Sequence, residues 1–281
     1  MKNIVFASCA AKPFSGHGDA PLVAAFEARG CVVREAAWNG PQGAFADADA
    51  IVIRSTWDYQ DMPGAFDAWL ASLEGRRVFN DPALMRANMS KRYLLDLAAR
   101  GASLPPTRLV SPNAASIAAA MDALGLAEAV VKPEYGATAS GLSRVRRDER
   151  SGLAAAAAAM GMPGLVQALV PEIATAGETS FMFIDGGFTH AVTKRPKSGE
   201  IRCQAEFGGL SEAASPPDWA VEEARRILAL IGRDPLYARV DAVLLDGRMR
   251  LMEVELIEPE LFFTYAPSSA DRFADALLQR L

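Results

Sequence analysis

The chain has 281 residues, 51% of them hydrophobic and 22% charged, with a net charge of −5; it has apolar material for a real core, and bulk charge draws it to no nucleic acid. Three scattered cysteines, Cys9, Cys31 and Cys203, and only two histidines, His17 and His190, exclude a disulfide framework and an ordinary His/Cys zinc site. With no apolar run of ~18 residues and no signal-like start, a soluble cytoplasmic protein without a membrane partner is expected. The length suits lobes around a cleft.

In chain order, Asn3 to Ser8 reads as a buried strand, then comes a Gly-rich turn holding His17, a helix from Pro21 to Arg29, strands Cys31 to Glu35 and Ala50 to Ile53, and an amphipathic helix Met62 to Leu73. This β-α-β-β-α order predicts a parallel sheet. The segment Arg54-Ser55-Thr56-Trp57-Asp58-Tyr59 follows a strand's carboxyl end, where open α/β sheets present ligand loops. From Asn80 the chain predicts a helix Ser90 to Arg100 carrying Lys91, the connector Leu104-Pro105-Pro106-Thr107, and a helix Asn113 to Leu124. A strand Ala129 to Lys132, a loop, a strand Leu142 to Arg146, the Ala-rich helix Gly152 to Met160 and a strand Gly164 to Val170 follow. The remainder alternates with period two: strands Thr179 to Ile184, Phe188 to Lys194, Ile201 to Ala205, Ala238 to Leu245 and Met249 to Glu255, with one helix, Asp218 to Ile231. Trp38, Trp69 and Trp219 are expected in the core, Cys203 as an inert buried thiol, and His190 inward without a metal partner.

Three pieces carry chemistry. Val130-Val131-Lys132-Pro133 delivers a lysine into a loop of small residues, Gly136 to Gly141, whose backbone N–H groups can approach an anion. Alone, this reads equally as a turn with a surface lysine. Arg239-Val240-Asp241 and Glu253-Val254-Glu255 flank an Asp246-Gly247 hairpin; alternation puts Glu253 and Glu255 on one face, with Asp241 brought beside them. Converging carboxylates suit a hard cation shared with phosphates, although a solvated hairpin face explains them as well. Val166-Gln167-Ala168-Leu169-Val170 running to Glu178 is weaker, and in isolation is an ordinary strand.

The order of these pieces resembles the ATP-grasp family from about Asn80 to Pro259, with residues 3–79 similar to the family's N-terminal substrate lobe. The Arg54 to Tyr59 segment, Gly177-Glu178-x-Ser180 and His190-Ala191-Val192-x-Lys194 are most similar to the cycloserine synthetase group, close to bacterial glutathione synthetases. The resemblance implies an α/β ATP-grasp fold: an N-terminal parallel lobe, 1–79, then an ATP-grasp domain, 80–281, with a small lobe at about 105–170 and a C-terminal lobe at 171–281. It implies that Lys91 and Lys132 contact ATP phosphates under a loop of Gly136, Ala137, Thr138, Ser140 and Gly141, with Gln167, Leu169 and Val170 along the adenine and Glu178 at the ribose. Asp241, Glu253 and Glu255 would hold two Mg²⁺ ions, with Mn²⁺ a substitute, and Arg202, Arg239 and Lys194 would serve the transferring phosphoryl group. Glu255 stands where much of the family has Asn, and Ser180 where glutathione synthetases tend to have a basic residue. A carboxylate–amine ligase or cyclo-ligase acting through an acyl phosphate on a small amino-acid derivative is expected. A small-molecule kinase and a non-catalytic nucleotide-binding module are the alternatives. His17, Ser55, Thr56, Asp58 and Tyr59 are the substrate candidates, Asp58 for an ammonium, against a reading in which Trp57-Asp58-Tyr59 only packs the lobe interface. The assembly is left open, a homodimer included.

Overall fold

A computed structural model describes residues 1–10, 18–136, 141–197, 203 and 207–281. Strand β1 (Asn3–Ser8), helix α1 (Ala20–Ala28), β2 (Val32–Ala37), β3 (Ala50–Ser55), α2 (Pro63–Ser72) and β4 (Val78–Phe79) form the first unit. Its sheet is parallel throughout, in the order β2-β1-β3-β4. β1 and β3 are buried almost end to end, as expected of strands covered on both faces. One face packs Phe6 on Phe26 of α1 and, from the far end of the chain, on Phe273 and Leu277. The other packs Ile51 and Ile53 on Trp38, Tyr59, Phe66 and Trp69.

Helices α3 (Pro82–Met89) and α4 (Tyr93–Ala99) lead to a second sheet built from β5 (Thr107–Val110), β6 (Glu128–Pro133), β7 (Ser143–Arg146) and β8 (Gly164–Ala168), with α5 (Ala114–Leu124) and α6 (Arg150–Met160) between them. The order is β5-β8-β6-β7, antiparallel. The alanine run is helical as expected: Leu153, Ala156, Ala157 and Met160 form the buried stripe that meets Ile117, Met121, Val131 and Val166.

A short helix α7 (Ile173–Ala176) opens the third unit, with β9 (Glu178–Ile184), β10 (Gly187–Arg195), β11 (Leu210–Ala214), α8 (Asp218–Ala229), β12 (Tyr237–Leu245), β13 (Arg248–Glu255) and α9 (Ser268–Gln279). The sheet runs β11-β10-β9-β12-β13, all antiparallel. Two of its hairpins turn on Asp-Gly pairs, Asp185-Gly186 and Asp246-Gly247, each residue at positive φ as a type I′ turn requires. Helix α9 packs back on α1, so the third unit and the first share one core.

Several expectations are corrected. Lys91 lies in a turn, because α3 ends at Met89 and Ser90 is extended. The structure adds helices α3, α7 and α9 and strands β4, β5 and β11 to the expected elements, and the expected strand Ile201 to Ala205 falls almost wholly outside the described residues. Trp38 and Trp69 are core residues, but Trp219 on α8 is 39% exposed, since that helix buries Ala220, Ala224 and Ile227 instead. Among the described residues no helix is long and apolar enough to cross a membrane.

Candidate active site

The third sheet has one apolar and one charged face. Phe181, Val240 and Val254 pack into the core under α8. The opposite face follows from register: Lys194 pairs with Glu178, Ser180 with Asp241 and Asp241 with Glu253, and Arg239 with Glu255. Directly opposed residues share a face, so the alternation that placed Glu253 and Glu255 together also brings Asp241, Arg239, Lys194 and Glu178 there.

The contacts are dense. Asp241, 2% exposed, accepts from Ser180 Oγ at 2.7 Å, Lys194 Nζ at 3.0 Å and Arg239 Nε at 3.0 Å. Burial works against its charge, but Arg239 and Lys194 outweigh it and hold the carboxyl below the usual range. Lys194 also reaches Glu178 at 2.7 Å, and Arg239 bonds Glu255. Burial, with Asp241 and Glu253 nearby, pushes Glu255 up to about 7 despite Arg239. Glu253 is bonded by Lys91 and is lowered, the lysine overcoming desolvation.

Two glycines set this geometry. Gly164 lies opposite Pro133, and a Cβ there would sit 2.3 Å from the Lys132 carbonyl, so only glycine lets β8 approach the end of β6. Gly177 enters β9 at φ +79, where a Cβ would meet Thr193 at 2.6 Å and the Lys194 carbonyl at 2.9 Å. Lys132 at the end of β6 donates to Gln167 Oε1 at 3.2 Å, and Gln167 donates on to Thr107 at 2.9 Å. No carboxylate bonds Lys132 among the described residues, and burial, reinforced by Lys91, pulls it down to about 8. Leu169 and Val170 follow β8, half-buried and buried. Lys91 is fixed by Glu134, whose backbone oxygen accepts from the Lys91 N–H at 2.9 Å and whose carboxylate takes Ser90 and Arg92 at 2.6 and 2.8 Å.

On the first sheet, Asp58 accepts from Trp38 Nε1 at 2.6 Å and from Asn39 at 3.3 Å, so both of its oxygens are in use. Tyr59 is buried with its ring stacked on Phe66 at 4.7 Å. The hydroxyls of Ser55 and Thr56 are buried without a bonding partner among the described residues. Arg54 is 1% exposed and forms a fork with Asp19 at 2.9 and 3.0 Å. Sequence patterning does not point to Glu134 or Arg54; for Glu258 the available signal is its place three residues after Glu255. Cys203 is buried, and burial raises its thiol to about 12. His17, Ala137, Thr138, Ser140 and Arg202 lie outside the described residues, while Gly136 and Gly141 flank the loop.

An oxygen-only set of Asp241, Glu253 and Glu255 on one face suits Mg²⁺ in kind. Yet among the described residues no three His, Cys, Asp or Glu side chains are disposed to hold a metal ion. Each of these carboxylates is instead bonded to a lysine or arginine, which a bound cation would replace.

A polar β-sheet face lined with lysines and carboxylates, facing a small antiparallel sheet that delivers a further lysine, is the architecture of a nucleotide-using ligase. Family models for the N-terminal domain of D-cycloserine synthetase DcsG and for the ATP-grasp domain of prokaryotic glutathione synthetase match residues 4–80 and 96–259. The chain belongs to the ATP-grasp family and is an ATP-dependent carbon–nitrogen ligase. It is 31% identical over 277 residues to cycloserine biosynthesis protein DcsG of Streptomyces lavendulae, covering 93% of each chain. It is similar in structure to crystalline D-cycloserine synthetase DcsG (TM-score 0.87, 28% identity, 99% of both chains). A D-alanine–D-alanine ligase from Bacillus anthracis complexed with ATP shares the fold (TM-score 0.73, 16% identity, 99% of this chain and 97% of that one).

Proposed function

We propose that the protein activates the carboxylate of a small amino-acid derivative with ATP and joins it to an amine, closing a ring when both groups belong to one molecule. The observation that carries this is the shared charged face of Lys194, Glu178, Asp241, Arg239, Glu253 and Glu255, opposite Lys132 and Lys91. The likeness to DcsG over both halves of the chain supports the substrate class.

In this reading Lys91 and Lys132 hold the phosphates, the loop from Gly136 to Gly141 covers them, Gln167, Leu169 and Val170 border the adenine, and Glu178 meets the ribose. Asp241, Glu253 and Glu255 would hold Mg²⁺, which would supply charge neutralisation on the phosphates when bound. The substrate carboxylate attacks the γ-phosphorus, ADP leaves, and the acyl phosphate is displaced by the amine with release of phosphate. Arg239 and Lys194, both buried, supply fixed positive charge where the transferring group becomes more negative, and Arg202 belongs to the same set. Residues 1–79 carry the substrate side, with Tyr59 and the Ser55 and Thr56 hydroxyls bordering it, together with His17. Residues 80–281 carry the nucleotide between the second and third sheets. No side chain beyond these is needed for phosphoryl transfer, which asks chiefly for positioning.

The test is a panel of amino-acid derivatives screened for ADP release, with mass spectrometry of the products. A dehydrated or condensed product with stoichiometric ADP and phosphate supports the reading. A phosphorylated metabolite without loss of phosphate would establish a kinase instead.

A further inference from the structure

The segment that follows β13, residues 256–261, has no helix or strand to satisfy its backbone. Each of its carbonyls is nevertheless taken by a side chain from elsewhere. Leu256 O accepts from Asn80 at 2.9 Å, Ile257 O from Tyr237 at 2.8 Å and Glu258 O from Trp57 at 3.1 Å. Pro259 O accepts from Arg54 at 3.0 Å, Glu260 O from Arg239 at 3.2 Å and Leu261 O from His190 at 3.0 Å. Unladdered backbone must find such partners when buried, and here they come from the first sheet, the third sheet and the link between them. The strap is thereby held from both sides, with residue 258 at its middle.

Glu258 is 7% exposed. Among the described residues no other side chain bonds its carboxylate, which is eased only by its own backbone N–H. It couples electrostatically to Tyr59 and Arg54 on the first-sheet side and to Lys91, Glu253 and Glu255 on the other, and its backbone oxygen takes Trp57, which puts it at the junction of the first sheet's carboxyl end and the charged face. Neither neighbouring cation is bonded to it: Lys91 is bonded to Glu253, and Arg54 to Asp19 and the Pro259 carbonyl, its Nη1 having no partner among the described residues. Burial, with Glu255 and Glu253 nearby, pushes the carboxyl up to about 8, so it holds a proton in the free protein, and a partner arriving with a positive charge would let it ionise. Asp58, whose oxygens already take Trp38 and Asn39, offers no such place.

We propose that Glu258 receives the cationic nitrogen of the amino-acid substrate, and that Trp57, through the strap, is a positioning residue for it. The proposal rests on the amino-acid reading above.

The probe is D-cycloserine, a small amine-bearing compound, titrated calorimetrically into the full-length protein loaded with Mg²⁺ and ADP. Glu258→Gln should weaken its binding roughly ten- to hundredfold, the worth of a charge-assisted hydrogen bond, with ADP affinity and Mg²⁺ dependence unchanged. N-acetyl-D-cycloserine, whose nitrogen carries no charge, should bind wild type and variant alike. Trp57→Phe keeps the ring and loses the Nε1 donor; it should give a smaller loss for D-cycloserine and none for ADP. Free Glu258→Gln should melt at or above wild type. Failure of the wild-type protein to bind D-cycloserine would overturn the amino-acid reading underneath. Equal binding by wild type and Glu258→Gln, a shift confined to Mg²⁺ dependence, or a large fall in melting temperature would overturn the role of Glu258 alone.

Discussion

Lys132→Met should change two quantities in opposite directions. Among the described residues the Lys132 ammonium of the free protein has only a neutral amide, Gln167 at 3.2 Å, as its bonded partner, and burial with Lys91 lowers it from 10.5 to about 8. A depression of that size corresponds to about 3 kcal/mol of disfavoured charge, reduced to about 1–2 kcal/mol because the side chain is half-buried. Methionine fills similar volume without charge, so the free variant should be as stable as wild type or slightly more so. ATP then loses its phosphate contact, a charge-assisted bond worth about 1.5–3 kcal/mol, or roughly ten- to hundredfold in affinity. Calorimetric titration of ATP with Mg²⁺, beside chemical denaturation of the free proteins, reads both. Wild-type ATP affinity, or a free variant destabilised by more than about 2 kcal/mol, would refute the reasoning.

The same lysine sets a pH dependence: above about 8 the free site has lost its proton, binding phosphate must restore it, and ATP affinity should fall as pH rises through 8 in wild type but not in Lys132→Met; a flat wild-type profile from pH 7 to 9 counts against it. Glu253→Gln should remove turnover far more than nucleotide binding and leave Lys91 without its anionic partner; full activity in excess EDTA would contradict the metal's part in this. Tyr59→Phe should raise the KM for the amino-acid substrate more than that for ATP, whereas equal effects would assign the ring to packing on Phe66 alone. Asp58→Asn should act mainly by loosening the bond to Trp38, with an amino-acid KM change smaller than that of Glu258→Gln; the reverse order would return the ammonium to Asp58.

The charged face was legible because strand alternation is a local rule. Glu253 and Glu255 stand two residues apart, and the Asp246-Gly247 turn fixes which residues of β12 oppose them. The parallel first sheet was legible for a similar reason, its strands being short apolar runs bounded by turn residues. What escaped is set by contacts distant in sequence. Trp57 and Arg54 reach carbonyls 201 and 205 residues away, and nothing near either residue marks the strap they hold. Asp58 shows an open-looking carboxylate in sequence, yet Trp38 on the far side of the sheet's end occupies it. Lys91 sits in a helical-looking stretch, but Glu134 captures Ser90, Lys91 and Arg92 and holds them in a turn. Helix α9 carries a readable apolar stripe of Phe273, Ala274 and Leu277, but its partner α1 lies at the other end of the sequence.

The central claim, that ATP activates a carboxylate for attack by an amine, is tested most directly by isotope transfer. The amino-acid derivative turned over in the panel screen is prepared with ¹⁸O in its carboxylate and incubated with the protein, ATP and Mg²⁺. Passage through an acyl phosphate moves one carboxylate oxygen into the released phosphate, so that phosphate should carry a single ¹⁸O while the product gains a carbon–nitrogen bond. Unlabelled phosphate accompanying the same product, or label retained wholly in a phosphorylated metabolite, would contradict it.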